Sequence, residues 1–312
     1  MADIPDLHHR SPISRASRTS PYSKRTSIHD VASDPVFGSW GRLLFPVNRG
    51  FMSGRTLGDM DLVWYSCIDS GKTVEIANLL HDRASRGERV FFDIYTDEEK
   101  RRDPAKRNTG MFFFRGKPGA PFAIWSAGGG FAYVAAMHDS LPHALELSKR
   151  GYNAFAVIYR PGAETACEDL SRAIAFVFDH ANELGVSTDG YLLGGGSAGA
   201  RMSVWVGGLG TAAFGERALP RPACVVTQYT GLGEWRRTDP PTFTTVGTDD
   251  WIADWRVMKM RSDAMRRAGI PTEFHVYKGL HHGFGLGAGT VAEGWLDQAV
   301  SFWGRMRQPN GR

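Results

Sequence analysis

The sequence predicts an α/β protein built on a mostly parallel sheet of eight strands flanked by helices. Three observations point there. From residue 90 onward, short runs rich in aromatic and β-branched residues recur, with helical patterns between most of them from the third run on. The runs are apolar nearly throughout and do not alternate, as strands covered on both faces require. At 312 residues and 42% hydrophobic content, the chain is long enough for one large α/β core.

Residues 1–30 are rich in Ser, Arg and His with almost no apolar periodicity, and read as a flexible arm. Asp3, Asp6 and Asp30 argue against a targeting peptide. Residues 31–88 form an extension that must pack on something. Phe37, Trp40, Phe45, Phe51, Trp64 and Tyr65 are too many large apolar rings for a linker, and a helix is predicted over 72–86 before Gly87. The α/β domain occupies 89–308. Its strands are read at 90–95, 111–115, 121–126, 153–159, 190–194, 223–229, 242–247 and 273–277, the first two joined by a charged connection without a helix.

The helices have legible ends. One covers 140–150, with Asp139 or Ser140 as N-cap and Pro142 in its first turn. Another buries Leu170, Ile174, Val177 and Leu184 and stops at Gly185. A third covers 252–268 and ends at Gly269 and Pro271. A last one aligns Val291, Trp295, Ala299, Phe302 and Met306 on one stripe.

Composition excludes several function classes. The formal net charge of +4 is small and spread out, with no nucleic-acid-binding motif. No apolar run reaches the length of a membrane span, and no secretory apolar region opens the chain, so a cytoplasmic protein is expected. Cys67, Cys167 and Cys224 lack any C-x-x-C pairing and read as buried free thiols. Gly128 to Gly130 lack the spacing of a dinucleotide or phosphate loop, and no cofactor is expected.

The chemistry centres on Tyr191-Leu192-Leu193-Gly194-Gly195-Gly196-Ser197-Ala198-Gly199, an apolar strand running into G-x-S-x-G and then into small residues that can start a helix. A serine hydroxyl is lifted clear of the backbone by a sharp strand-to-helix reversal, which leaves no room for side chains at Gly195 and Gly199. Ala127-Gly128-Gly129-Gly130-Phe131 follows the third strand directly. Negative charge forming on a carbonyl oxygen in acyl transfer needs fixed donors, and the amides of Gly129, Gly130 and Ala198 are the candidates. An acid on the loop after the seventh strand could orient a histidine from the next loop: Asp249 and Asp250 compete, with Asp254 an outside candidate. His282, followed by Gly-Phe, is the stronger general-base candidate and His281 the alternative. Adjacent histidines rarely ligate one ion together and no carboxylate or Cys pattern accompanies them, so no metal is expected.

The order Ser197, acid, His282, with Gly128 to Gly130 upstream, resembles the α/β-hydrolase superfamily. Within it the chain is similar to bacterial esterases of the hormone-sensitive-lipase and acetyl-xylan-esterase type. The matching motifs are Gly-Gly-Gly-Phe, Tyr159-Arg160-Pro161, Glu168-Asp169-Leu170, Gly195-Gly196-Ser197-Ala198-Gly199, Gly-x-x-Asp over 247–250, and His282-Gly283-Phe284. The resemblance covers about residues 90–306 and selects Asp250, the fourth residue of Gly-x-x-Asp. Two departures stand out. Ala127 replaces the usual histidine before the three glycines, and the stretch 231–241 leaves no room for a large inserted cap.

The resemblance implies a serine carboxylesterase acting on short acyl, acetyl-type esters, with a small-molecule or carbohydrate ester as partner. An amidase, peptidase or acyltransferase with the same triad, or a non-catalytic hydrolase-like receptor, are the alternatives. Phe131, Tyr133, Trp235 and Trp251 are expected to crowd the site, with His138 at the pocket mouth. Residues 36–65 are expected to fold over it as a lid, the alternative being an open site that admits a bulky alcohol moiety. Neither nucleic acid nor membrane is expected as a partner, and the sequence leaves the oligomeric state open, a dimer included.

Overall fold

The computed structural model describes residues 20–308. Its large sheet has eight strands: β1 (Phe91–Phe92), β2 (Gly110–Phe114), β3 (Pro121–Ser126), β4 (Asn153–Ile158), β5 (Ser187–Gly196), β6 (Cys224–Gln228), β7 (Thr242–Gly247) and β8 (Thr272–Tyr277). Their order across the sheet is β1-β2-β4-β3-β5-β6-β7-β8. β2 runs antiparallel to β1 and β4, and all other pairs are parallel. The central strands are buried on both faces, which explains their unbroken apolar text.

Side chains alternate across the sheet, so each strand feeds two cores. Phe112, Phe114, Trp125, Ala154 and Ala156 point to one face and join α1 (Ser70–Ser85), α3 (Leu141–Lys149) and α7 (Trp295–Arg307). Met111, Phe113, Ile124, Phe155 and Val157 point to the other, under α4 (Ala163–Asp179) and α5 (Ala198–Leu209). Between β7 and β8 runs α6 (Trp255–Arg267).

Several local expectations are corrected. The charged connection after β1 does contain a helix, α2 (Asp97–Arg102), because Thr96 and Glu99 close a reciprocal capping box. The first strand pairs only at Phe91 and Phe92. The helix expected from 252 starts at Trp255, since the Asp250 carboxylate accepts the amides of Ile252 and Ala253 and Asp254 caps the helix. Val291 lies outside α7 and is 66% exposed, Gly294 turning the chain at φ 86°. Neither Asp139 nor Ser140 caps α3 through its side chain, although Ser140 holds the N-cap place. Cys67 is exposed while Cys167 and Cys224 are buried.

Of the expected arm, residues 1–19 lie outside the described residues. Within residues 20–31 the chain is anchored at three buried side chains, Tyr22, Ile28 and Val31, and the Tyr22 hydroxyl donates to Asp34 at 2.6 Å. The extension continues as a 3₁₀ segment (Pro35–Leu44) that buries Phe37 and Leu44, and Trp40 stacks on Phe91. A small antiparallel hairpin, Met52–Ser53 with Asp61–Leu62, brings Trp64 and Tyr65 to the C-terminal edge of the sheet. No helix among the described residues is long and apolar enough to cross a membrane.

Candidate active site

Ser197 sits between β5 and α5 at φ 51° and ψ −119°, in the left-handed region where a serine is strained by about 1–3 kcal/mol. Its neighbours explain the glycines. A Cβ on Gly195 would lie 2.5 Å from the Ser126 carbonyl oxygen, and one on Gly199 would lie 2.0 Å from the same atom. The reversal is locked by the Ser197 amide, which donates to the Gln228 carbonyl on β6 at 2.9 Å.

His282 is buried on the loop after β8. Its Nδ1 lies 2.8 Å from Asp250 Oδ2 and its Nε2 lies 3.1 Å from Ser197 Oγ. A carboxylate can only accept, so the ring proton belongs on Nδ1 and leaves Nε2 to accept from the serine. The other carboxylate oxygen of Asp250 takes the two amides that hold its loop, at 2.8 and 2.7 Å. Asp249 instead accepts the Thr248 hydroxyl, Asp254 caps α6, and exposed His281 faces the Asp249 carbonyl.

The glycine loop after β3 lies against the serine. A Cβ on Gly128 would approach Ser197 Cβ to 2.7 Å, and Gly129 and Gly130 take φ 130° and 62°. Ala127 offers no polar side chain, yet the loop is held. Tyr159 donates to the Ala127 carbonyl at 2.5 Å, the Gly128 amide donates to Asp139 at 2.7 Å, and the Gly129 carbonyl accepts the amides of Ala132 and Tyr133. Among the described residues, the amides of Gly129, Gly130 and Ala198 have no protein acceptor. Three free donors beside a serine and a histidine can hold charge on a substrate oxygen.

The expected lining residues divide. Trp251 is 61% exposed beside His281 and His282, and Phe131 stacks on Trp205. Tyr133 is instead buried, stacked on Phe51, with its hydroxyl donating to the Val63 carbonyl. His138 is buried too, where desolvation lowers its pKa, and its Nε2 lies 2.8 Å from the Gly283 carbonyl. It lines a cavity of about 310 Å³ with Cys67, Asp69 and Phe284, a lining that does not include Ser197. Trp235 is half-buried and makes no ring contact or side-chain hydrogen bond to the triad among the described residues.

The sequence reading missed a group at the base of the site. Tyr65 and Tyr229 both donate to the buried Asp139 carboxylate, and Ser66 Oγ donates to the His282 carbonyl. Trp64 lies against Gly130. The available signal was an acid set in an apolar stretch, Ala135-Ala136-Met137-His138-Asp139. Among the described residues, no group of three metal-type side chains converges.

The strand order with β2 antiparallel, and the serine turn placed directly after β5, make this an α/β hydrolase by fold. Residues 115–219, from the end of β2 through the helix after the serine, match the family model described as BD-FAE. Among solved structures, an acetyl ester-xyloside bifunctional hydrolase from Caldicellulosiruptor lactoaceticus is 22% identical. The match covers 69% of this chain and 96% of that one with a TM-score of 0.60. An α/β hydrolase from a Medee basin deep-sea metagenome is 20% identical over 64% of this chain and 93% of that one, TM-score 0.54. Thermogutta terrifontis esterase 2, phosphonylated by cyclosarin, is 22% identical over 65% and 91%, TM-score 0.55. No curated protein matches the chain.

Proposed function

We propose that the protein is a serine carboxylesterase for short acyl, acetyl-type esters, with carbohydrate esters as its natural substrate class. His282 Nε2 takes the Ser197 proton as Oγ attacks the ester carbonyl, and the amides of Gly129, Gly130 and Ala198 hold the resulting oxyanion. Asp250 keeps the His282 proton on Nδ1 and stabilises the imidazolium. His282 then protonates the leaving alcohol, and water repeats the sequence on the acyl-enzyme to release the acid.

One observation carries this reading: the relay of 2.8 and 3.1 Å from Asp250 through His282 to Ser197, set beside a glycine loop and helix start whose three amides find no acceptor among the described residues. The acetyl and carbohydrate preference draws on the acetyl ester-xyloside hydrolase among the structural neighbours. Residues 36–65 are taken as the cover of the site, since Trp64 and Tyr65 lie against its glycine and histidine loops.

The test is hydrolysis of p-nitrophenyl acetate, butyrate, octanoate and dodecanoate by the intact protein beside Ser197→Ala, with fluorophosphonate labelling. Turnover of the short esters and labelling, both lost in the variant, are expected. A folded wild-type protein that neither hydrolyses nor labels overturns the reading, and equal turnover of acetate and dodecanoate overturns the short-acyl part.

A further inference from the structure

We propose that Asp139 is a positioning residue for the oxyanion loop, acting as a buried acceptor that sets the Gly128 peptide and, through it, the Gly129 and Gly130 amides against Ser197. The proposal rests on the esterase reading above.

Asp139 is fully buried, and the three groups that donate to it are uncharged. Burying a carboxylate in that state is costly, and a hydrophobic side chain would fill the space more cheaply. What the group does there is accept three hydrogen bonds from three separate segments. Oδ2 takes the Gly128 amide at 2.7 Å and the Tyr65 hydroxyl at 2.9 Å, while Oδ1 takes the Tyr229 hydroxyl at 2.5 Å. The first donor belongs to the loop after β3, the second to the chain ahead of α1, and the third to the loop after β6.

The carboxylate lies directly under the serine turn. A Cβ on Gly196 would stand 2.4 Å from each of its oxygens. Gly128 is the residue before Gly129, so a fixed Gly128 peptide fixes the start of the segment whose two amides are assigned to the substrate oxygen. Tyr229 extends the same assembly to the base, its ring 5.0 Å from that of His282. Ala127 has no side chain able to do this work, and Tyr159 restrains only its carbonyl.

The role asks for an acceptor and not for a charge. Asn at 139 can keep its oxygen on Gly128 and Tyr65 and gives up only the acceptor of the Tyr229 hydroxyl, whereas Ala leaves a buried amide unpaired. One oxyanion donor is worth about 10²–10³ in kcat, and a misplacement of 1 Å about 10². In the full chain, Asp139→Ala is expected to lower kcat for p-nitrophenyl acetate by about 30-fold or more, with KM within about twofold. Asp139→Asn is expected to stay within about fivefold of wild type.

Unchanged kcat in folded Asp139→Ala, or an equal loss in the Asn and Ala variants, overturns the proposal. Should Asp139→Ala not fold, Tyr65→Phe and Tyr229→Phe serve instead. Each removes one donor and is expected to lower kcat about two- to tenfold at unchanged KM, and unchanged kcat in both overturns the proposal. Wild type and Ser197→Ala run alongside. An inactive, unlabelled wild type fails the esterase reading itself, while an active wild type with fully active Asp139 and tyrosine variants fails only this inference.

Discussion

Ser66 donates its hydroxyl to the His282 carbonyl at 2.7 Å, joining the chain ahead of the sheet to the loop that carries the base. Beside it, Tyr65 fills the space over Gly283, where an added Cβ would meet the ring at 2.7 Å. The extension is therefore packed against the loop that carries the base. Removing residues 1–66 is expected to lower kcat for p-nitrophenyl acetate by about 100-fold or more. It should also lower Tm by well over 10 °C, because Phe37, Leu44 and Phe45 leave the core with it. A truncated protein that stays folded with unchanged kcat and KM would show that the segment neither covers nor supports the site.

The two neighbouring acids separate by their partners. Asp250 meets His282 Nδ1 at 2.8 Å, whereas Asp249 accepts the Thr248 hydroxyl. Asp250→Asn keeps the shape but lets the histidine adopt the wrong tautomer, and a loss of about 10³–10⁴ in kcat is expected. Asp249→Asn should stay within about threefold. Equal losses in the two variants would contradict the assignment.

Trp251 is the most exposed of the expected lining residues and lies next to the base, its ring 6.3 Å from that of His282. Because it buries little surface in the protein, Trp251→Ala should change Tm by about 1 °C or less. Contact with a substrate would place alkyl or sugar surface on the indole. KM for the butyrate ester should then rise about three- to tenfold, from roughly 1 kcal/mol of lost apolar contact, while kcat holds. Unchanged KM for every ester would remove Trp251 from the binding surface.

The strands were legible because their environment is uniform. A strand buried on both faces reads as a near-continuous run of apolar, β-branched and small residues, as Pro121–Ser126 and Thr242–Gly247 do. Ser197 was legible because its backbone turn excludes side chains on both flanks. Asp139 was misread as a helix cap for the opposite reason. Its partners Tyr65 and Tyr229 stand 74 and 90 residues away, and an acid before Ser-Leu-Pro has every local mark of a cap. The helix after β1 was lost under its charge: Thr96 to Glu99 is a capping signal, but it precedes no apolar run that would advertise a helix.

His143 provides a pH test of the core behind the site. It is fully buried against Trp125, with ring centroids 4.6 Å apart. Burial, reinforced by nearby His138, lowers its pKa to about 3. In the unfolded chain an imidazole titrates near 6.5, so between about pH 6.5 and 3 the unfolded state binds the extra proton. The folded state is thus favoured fully above pH 6.5 and loses this contribution as pH falls, by about 2 kcal/mol from pH 7 to 5. His143→Phe keeps a flat ring on Trp125 and cannot charge. Denaturant titrations of both proteins at pH 7, 6 and 5 should show the stability gap shifting by about 2 kcal/mol toward the variant across that range. A gap independent of pH would mean that His143 protonates as readily in the folded protein as in the unfolded chain.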